Sequence, residues 1–347
     1  MASTVIDSNK IKTLSRLIDR AGNVVITCHL SPDGDALGAS LAMAGIMSHL
    51  GKAVHVISPD QPPQSISFLP GAKDVVVFSR YEPFARNLLS KADLIFCLDY
   101  NELKRIDRVA PYVDAAEAPK VMIDHHLHPA DFGQEVVISH PEISSTCALV
   151  FKVICALGLF KLIDKDIASC IYTGMMTDTG NFSYNSNDPE LYTIIAELLK
   201  TGIDKDALYQ RACNVHSESA LRLNGYALSE KMEVFNEYNA ALIAITRSEL
   251  NRFGYRKGDT EGLVNVPLSI PGIIYSAYLR DEDTYVKVSM RSRGDFPVNR
   301  ICSDHFGGGG HLNAAGGEFY GTMDEAVALF KNMLEENRRL YIDAKNK

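Results

Sequence analysis

Four apolar stretches of this 347-residue chain each run straight into ionisable side chains, and those are the residues that could do chemistry. Val24 to Cys28 leads into His29, Asp33 and Asp35. Leu94 to Leu98 leads into Asp99, Val121 to Ile123 into Asp124, His125 and His126, and Ile167 to Met176 into Asp178. Taken singly, each is ordinary. Asp-Gly-Asp is a common turn, an Asp after a strand is often a helix N-cap, and a His pair is usually solvated or structural. Their recurrence at the ends of apolar runs is what carries information. In an open parallel sheet the carboxyl ends of the strands share one edge, and ligands bind in the crevice there. Five Asp and three His gathered at one edge would repel and raise the carboxylate pKa values. Divalent metal supplies the missing counter-charge. Carboxylate with imidazole suits Mn²⁺, and Mg²⁺, Co²⁺, Fe²⁺ and Zn²⁺ accept the same donors. The donors are too many for one ion, so two are expected, with a carboxylate bridging ions about 3.5–4 Å apart as in two-metal phosphoryl transfer.

A second constellation lies near the C-terminus. Ser289, Arg291 and Arg293 alternate, so on a strand they project from one face. Arg forks match phosphate oxygens. Gly307, Gly308, Gly309 and Gly310 follow, then His311; consecutive glycines let backbone N–H groups approach an anion. His49, His55, His128, His140, His216 and His305 have no partner spacing that argues for metal and read as structural or surface. Tyr255-Arg256-Lys257 reads as a solvated loop, Met175 and Met176 as core packing, and Asn181 as a neighbour of a metal ligand. No P-loop and no G-x-S-x-G elbow occurs, which leaves ATP-dependent P-loop chemistry and the serine-hydrolase elbow without support.

The elements that must position these groups are legible in outline. Helical spacing covers 8–21 and 35–50, with strands at 24–28, 53–57, 94–98 and 121–123 and helical patterns between several of them. That is an α/β unit with a parallel sheet. Residues 145–212 are mostly helical, with Ser144-Ser145-Thr146 as a helix cap and further helices at 188–199, 205–212 and 217–228. After about residue 230 the texture changes. Strands are expected at 240–246, 274–280 and 285–291, the last two forming a hairpin through Asp281-Glu282-Asp283, then a Gly-rich stretch at 306–317 and a helix over 323–340. The expectation is a catalytic domain over 1–205, a helical linker and hinge over 206–230, and a smaller α/β substrate-binding domain over 231–347 across a cleft.

Composition narrows the class. Hydrophobic residues at 46% and charged residues at 22% describe an ordinary globular protein and exclude whole-chain disorder. A net charge of −8 argues against extended duplex nucleic acid as ligand. Seven Cys without a C-x-x-C pair read as buried reduced thiols. No apolar run approaches a membrane span, and the first residues lack a signal-peptide core, so a cytoplasmic location is expected. Apolar surface on the N-terminal helices would support a homodimer.

His29-x-x-x-Asp33-x-Asp35, Asp99, Asp124-His125-His126 and Asp178, followed by Arg291-Ser292-Arg293 and the Gly307–Gly317 stretch with His311, resemble the DHH phosphoesterase family and its associated C-terminal domain. The likeness covers roughly residues 23 to 340, and its compact two-domain form looks most like the nanoRNase/3′-phosphoadenosine-5′-phosphate (pAp) phosphatase subgroup. RecJ-like exonucleases share the catalytic motifs but usually carry extra DNA-binding domains. The resemblance implies one metal on His29, Asp33 and Asp99, and a second on Asp35, Asp99, His125 and Asp178, with Asp99 bridging. It implies that His126 faces the phosphate as general acid or electrostatic stabiliser, and that Asp124 orients a histidine. Arg291, Arg293, Gly308, Gly309, Gly310 and His311 would hold substrate phosphate, with His311 also catalytic. The implied activity is metal-dependent hydrolysis of very short oligoribonucleotides to nucleoside 5′-monophosphates, of pAp to AMP, or of both. Linear or cyclic signalling dinucleotides, and pyrophosphate or polyphosphate, are the alternative substrates. A non-catalytic nucleotide sensor is disfavoured by the full ligand set.

Overall fold

The parallel sheet forms because its strands are apolar on both faces. In the computed structural model, which describes residues 6–214 and 216–345, the chain divides into two units, Met1–Val215 and His216–Lys347. The first holds β1 (Asn23–Thr27), β2 (Ala53–Ser58), β3 (Val76–Val77), β4 (Leu94–Leu98), β5 (Lys120–Asp124) and β6 (Gln134–Ser139). All pair in parallel, in the order β3-β2-β1-β4-β5-β6. Alternate residues feed two different cores: Val24, Ile26, Leu94 and Phe96 enter one, Val25, Ile95 and Cys97 the other. Burial on both faces is what a parallel sheet requires.

Helices α1 (Ser8–Arg20), α2 (Gly34–His49), α3 (Phe78–Ser90), α4 (Ala110–Asp114), α5 (Thr146–Ala156), α6 (Lys165–Asp178), α7 (Pro189–Lys200) and α8 (Lys205–Cys213) complete the unit. The larger core joins the sheet to α1, α2 and α5–α8, and the other face is covered by α3 and α4. The strand order changes direction between β1 and β4, which pair directly, Val24 opposite Leu94 and Ile26 opposite Phe96. Such a switch point opens a crevice at the strands' carboxyl ends, and the chain leaves β1 toward His29 and β4 toward Asp99.

The apolar run 167–176, grouped above with the strands, is part of α6. Asp178 is therefore delivered by the last residue of a helix. It reaches the sheet edge because glycines of α2 let α6 pack close against it. A Cβ at Gly38 would stand 2.6 Å from the Cys170 carbonyl oxygen, and one at Gly34 2.2 Å from Thr177 Oγ1.

The second unit holds β7 (Met232–Phe235), β8 (Ala240–Ile245), β9 (Tyr275–Asp281), β10 (Val286–Ser292), β11 (Gly309–His311) and β12 (Ala314–Phe319). Its helices are α9 (Glu218–Glu230), α10 (Arg247–Arg252), α11 (Val298–Phe306), α12 (Met323–Asn332) and α13 (Leu334–Lys345). The sheet order is β11-β12-β10-β9-β8-β7, antiparallel except for β8 with β9. The hairpin through Asp281-Glu282-Asp283 forms as β9–β10. Three expectations change. Segment 206–230 is not a linker: α8 packs on α6, while α9 packs on β7 and β8. The Gly-rich stretch is largely strand, β11 and the start of β12. The helix over 323–340 is interrupted at Met333, where adjacent Met333 and Leu334 are both buried. No disulfide forms among the described residues, and no helix among them is long and apolar enough to cross a membrane.

The glycine contacts predict opposite outcomes for two helical positions. Gly38→Ala forces a methyl group onto backbone and should cost about 1–3 kcal/mol. Gly225 in α9 has nothing within 4 Å of its missing Cβ. Gly225→Ala should therefore leave stability unchanged or raise it by up to about 1 kcal/mol. Urea unfolding of both variants checks the pair, and equal effects would contradict the close α2–α6 contact.

Candidate metal centre

Each donor is placed by a local device. Asp33 caps α2, its Oδ1 accepting the N–H groups of Asp35 and Ala36 at 3.0 Å each. Asp35 follows in the first turn and is buried. Asp99 follows β4 directly with φ +63°, a left-handed conformation that Asp tolerates better than most residues. Asp124 is the last residue of β5, with His125 and His126 just beyond it.

The imidazoles are oriented by their second nitrogens. His29 Nδ1 lies 2.8 Å from the Leu30 carbonyl oxygen and His125 Nδ1 3.2 Å from that of Ile143. That leaves Nε2 of each as the ligating atom, a common arrangement for metal-binding histidines. His29 Nε2 is 3.4 Å from Asp99 Oδ2 and 3.8 Å from Asp33 Oδ1. His125 Nε2 is 3.7 Å from Asp99 Oδ1, 3.9 Å from Asp35 Oδ2 and 3.6 Å from Asp178 Oδ2. Three trios result: His29–Asp33–Asp99, Asp35–His125–Asp178 and Asp99–His125–His126, the ligand atoms within each lying within 4.8 Å of one another. Asp99 turns one oxygen toward His29 and the other toward His125. Asp124 is fully buried and serves His126: its Oδ1 is 2.7 Å from His126 Nδ1, and its Oδ2 accepts the His126 N–H at 2.9 Å.

Contacts that sequence reasoning missed come from the start of α5. The N–H groups of Thr146 and Cys147 donate to Asp35 Oδ2 and Oδ1 at 2.6 and 2.8 Å, and the Thr146 hydroxyl donates to Asp99 Oδ1 at 2.8 Å. The Ser-Ser-Thr signal announced a helix cap, and Ser145 fills that role, accepting the Ala148 N–H at 3.1 Å. Nothing in that signal announced the carboxylates. Gly174 of α6 belongs here too, since a Cβ there would meet Cys147 Sγ at 2.2 Å and Asp35 Oδ1 at 3.0 Å.

The conflict of charges displaces the pKa values of the cluster. Burial, then the neighbouring Asp99 and Asp178, push Asp35 well above the carboxylate range. Burial, then Asp33 and Asp99, do the same to Asp178. Burial opposes ionisation of Asp99 as well, but the His29 hydrogen bond and the charges of His126, His29 and His125 outweigh it and hold Asp99 low. For His29, burial is outweighed by the Asp99 hydrogen bond and the charges of Asp33 and Asp99, which raise it to about 9. His125 is raised by Asp99, Asp35 and Asp124 against the effect of burial. Burial pushes Cys28, next to His29, up to about 12, which rules it out as a thiolate nucleophile. Oxygen and imidazole donors gathered in low dielectric, with protons held where cations would relieve them, fit divalent metal ions.

In the second unit Lys287, Ser289 and Arg291 share the outer face of β10. With Gly307, Gly308 and Gly309 they line an open groove of about 520 Å³. β10 ends at Ser292. Arg293 lies beyond it, exposed, with its N–H on the Ile274 carbonyl, and Arg293, Gly310 and His311 are not among the groove-lining residues. Two of the glycines are needed for close backbone packing. A Cβ at Gly308 would stand 1.9 Å from Gly316 O, and one at Gly310, with φ +143°, 2.5 Å from Ala314 O. Asn313 fixes the neighbouring turn by donating to Ser292 Oγ and the Gly294 carbonyl at 2.8 Å each.

Such a donor set at the carboxyl edge of such a sheet is suited to divalent metal ions. Residues 23–175 match the DHH family, N-terminal domain, and residues 240–336 match the DHHA1 domain. The bifunctional oligoribonuclease and PAP phosphatase NrnA of Thermus thermophilus is 31% identical over 318 residues, 91% of this chain and 90% of that one. Its namesake from Bacillus subtilis is 25% identical over 323 residues, 92% and 96% of the two chains. The crystal structure of an exopolyphosphatase-related protein from Bacteroides fragilis is 51% identical with a TM-score of 0.95, covering 97% of this chain and 99% of that one. The chain belongs to the DHH family and is a DHH-family phosphoesterase, as its motifs led us to expect.

Ligation requires His29 without its Nε2 proton and Asp35 and Asp178 ionised, so metal binding near neutral pH should expel about one proton or more. The sign for stability follows from linkage. His29 rises from 6.5 to about 9, so its contribution to the metal-free fold is complete below pH 6.5 and is lost as pH rises to 9. Asp35 and Asp178, also raised, act in the same sense from the carboxylate range upward, whereas the contribution of Asp99, held low, is lost only in acid. The metal-free protein should therefore melt at a lower temperature at pH 9 than at 6.5, while Mn²⁺ binding tightens over that window. Melting in chelator and calorimetric titration in buffers of different ionisation enthalpy measure both; no net proton release would contradict the assignment.

Proposed function

We propose that this protein is a cytoplasmic hydrolase that releases nucleoside 5′-monophosphates from very short oligoribonucleotides and converts pAp to AMP. The observation that carries the reading is the placement of Asp99 between two donor trios, in a chain related over nine-tenths of its length to the NrnA of Thermus thermophilus. The two reactions are chemically one. In each, water attacks phosphorus, the bond from phosphorus to a ribose 3′ oxygen breaks, and that oxygen leaves with a proton.

We assign two ions, most readily Mn²⁺: one to His29, Asp33 and Asp99, the other to Asp35, Asp99, His125 and Asp178. Bound there, divalent metal lowers the pKa of the attacking water and neutralises charge on the phosphoryl oxygens. His126, fixed by Asp124 through Nδ1, faces the reacting phosphate and stabilises developing charge or protonates the leaving oxygen. In the second unit Arg291, with the Gly308 and Gly309 amides beside it, holds a phosphate group of the substrate. Arg293, Gly310 and His311, outside that groove, are assigned to substrate beyond it.

A second reading, hydrolysis of polyphosphate or pyrophosphate, is favoured by the description of the Bacteroides fragilis relative as exopolyphosphatase-related. A Mn²⁺-dependent panel separates them: a labelled RNA dinucleotide, a pentanucleotide and a 24-mer, with pAp, linear pApA, cyclic di-AMP and pyrophosphate. Rapid loss of the short RNAs or pAp, with the 24-mer spared, is expected. Turnover of pyrophosphate alone would overturn the nucleotide assignment, and turnover of the dinucleotide signals alone would redirect it. Asp99→Ala should abolish turnover of every substrate. Arg291→Ala should raise KM about tenfold or more with a smaller change in kcat, the loss expected for one charge-assisted phosphate contact.

A further inference from the structure

We propose that Thr146 is a positioning residue for the metal centre, acting through Asp99. The inference rests on the reading of Asp99 as a shared metal ligand. Asp99 has to present opposite oxygens to two donor trios, Oδ2 3.4 Å from His29 Nε2 and Oδ1 3.7 Å from His125 Nε2. Rotation of its carboxylate plane would take both oxygens off their targets at once. The backbone at Asp99 is left-handed, so the side chain leaves the strand end in a direction the sheet does not dictate. The buried Thr146 hydroxyl supplies what is missing: it donates to Asp99 Oδ1 at 2.8 Å and fixes the plane.

Thr146 is itself held from two sides. It is the first residue of α5, and its own N–H and that of Cys147 donate to Asp35, a member of the other trio. One helix start therefore sets a carboxylate of each trio, Asp35 through amides and Asp99 through a hydroxyl. The N–H groups and dipole of a helix N-terminus favour both carboxylates in their ionised form. A β-branched side chain restricts χ1, so the hydroxyl of Thr is aimed more narrowly than that of Ser.

The test is Mn²⁺ affinity by calorimetry at fixed pH. Hydrogen-bond partners of metal ligands typically contribute 10–100-fold in affinity. Thr146→Val keeps the shape and removes the donor, and should weaken Mn²⁺ binding by about that factor. Thr146→Ser restores the donor and should stay within about threefold of the parent protein, ahead of Val by the larger part of the loss. Ser145→Ala removes the helix cap but leaves the Thr146 hydroxyl; it should lower the melting temperature while leaving Mn²⁺ affinity within about threefold. If the Val variant does not fold, as judged by circular dichroism in chelator, Thr146→Ala takes its place with the same expectation. Val or Ala binding as tightly as the parent would overturn the proposal. So would Ser falling as far as Val, or Ser145→Ala losing as much affinity as Thr146→Val, since the effect would then belong to the helix end as a whole. Failure of the parent protein to bind Mn²⁺ at all would instead overturn the metal assignment beneath it.

Discussion

The constraint on which the rest depends is repulsion among Asp33, Asp35, Asp99 and Asp178, brought to one sheet edge with Asp35 and Asp99 buried, Asp178 half-buried and Asp33 exposed. Two like charges 4 Å apart repel by about 4 kcal/mol at an effective dielectric constant of about 20. A fold that gathers four of them has to hold each from outside the cluster. Three are held in this way: Asp33 as the cap of α2, Asp35 by two α5 amides and Asp99 by a hydroxyl. The remaining conflict is left to protons. Asp35 and Asp178 hold them readily, Asp99 stays ionised among three imidazoles, and His29 keeps its charge to about pH 9. Divalent cations bound there would take the place of those protons.

The close contact of α2 and α6 serves the same end. Gly34 and Gly38 on one helix, with Gly174 on the other, let the helices approach until Asp35 and Asp178 face the same imidazole. Larger side chains would move α6 outward and carry Asp178 with it. Most of the stabilisation around this seam comes from burial of Leu37, Ala42, Ile167 and Ile171 and their neighbours. The glycines contribute position rather than burial. Rigidity matters because a carboxylate displaced by an ångström no longer closes a ligand trio.

The clustering of the donors was legible because a strand feeding a binding crevice must be apolar to its last residue and then abruptly polar. His29, Asp99 and Asp124 stand at that abrupt change. Asp178 was legible by type but its element was not, since a run such as Ile167–Met176, apolar on every side, suits a buried helix and a buried strand equally. Thr146 left no separate mark, because the same Ser-Ser-Thr suits any helix start. β12 was missed for a different reason. Ala314-Ala315-Gly316-Gly317 has no strand preference of its own, and it is a strand because β10 and β11 can approach it closely only where side chains are small. The boundary between the units was displaced because α8 and α9 both look like connecting helices, and only their packing partners tell them apart.

The division of labour between the units follows from what each can recognise. On the proposed reading, the donors around Asp99 would meet charge and phosphoryl oxygen, and those are common to an RNA linkage, a terminal phosphate and a polyphosphate. Nothing in that set can distinguish a ribose from a second phosphate. Discrimination has to come from groups that meet the rest of the substrate, and the outer face of β10 carries two cations, Lys287 and Arg291, beside a surface of glycine backbone. Of these glycines, Gly309 has nothing within 4 Å of its missing Cβ, so its backbone could admit a flat or charged group at short range, where a Cβ would hold it off. A polyphosphate would use the cations alone, whereas a nucleotide would use cations and bare backbone together. A groove that offers both is better matched to a phosphate carried on a nucleoside, and that match, rather than the metal centre, is where specificity for nucleotides would be built.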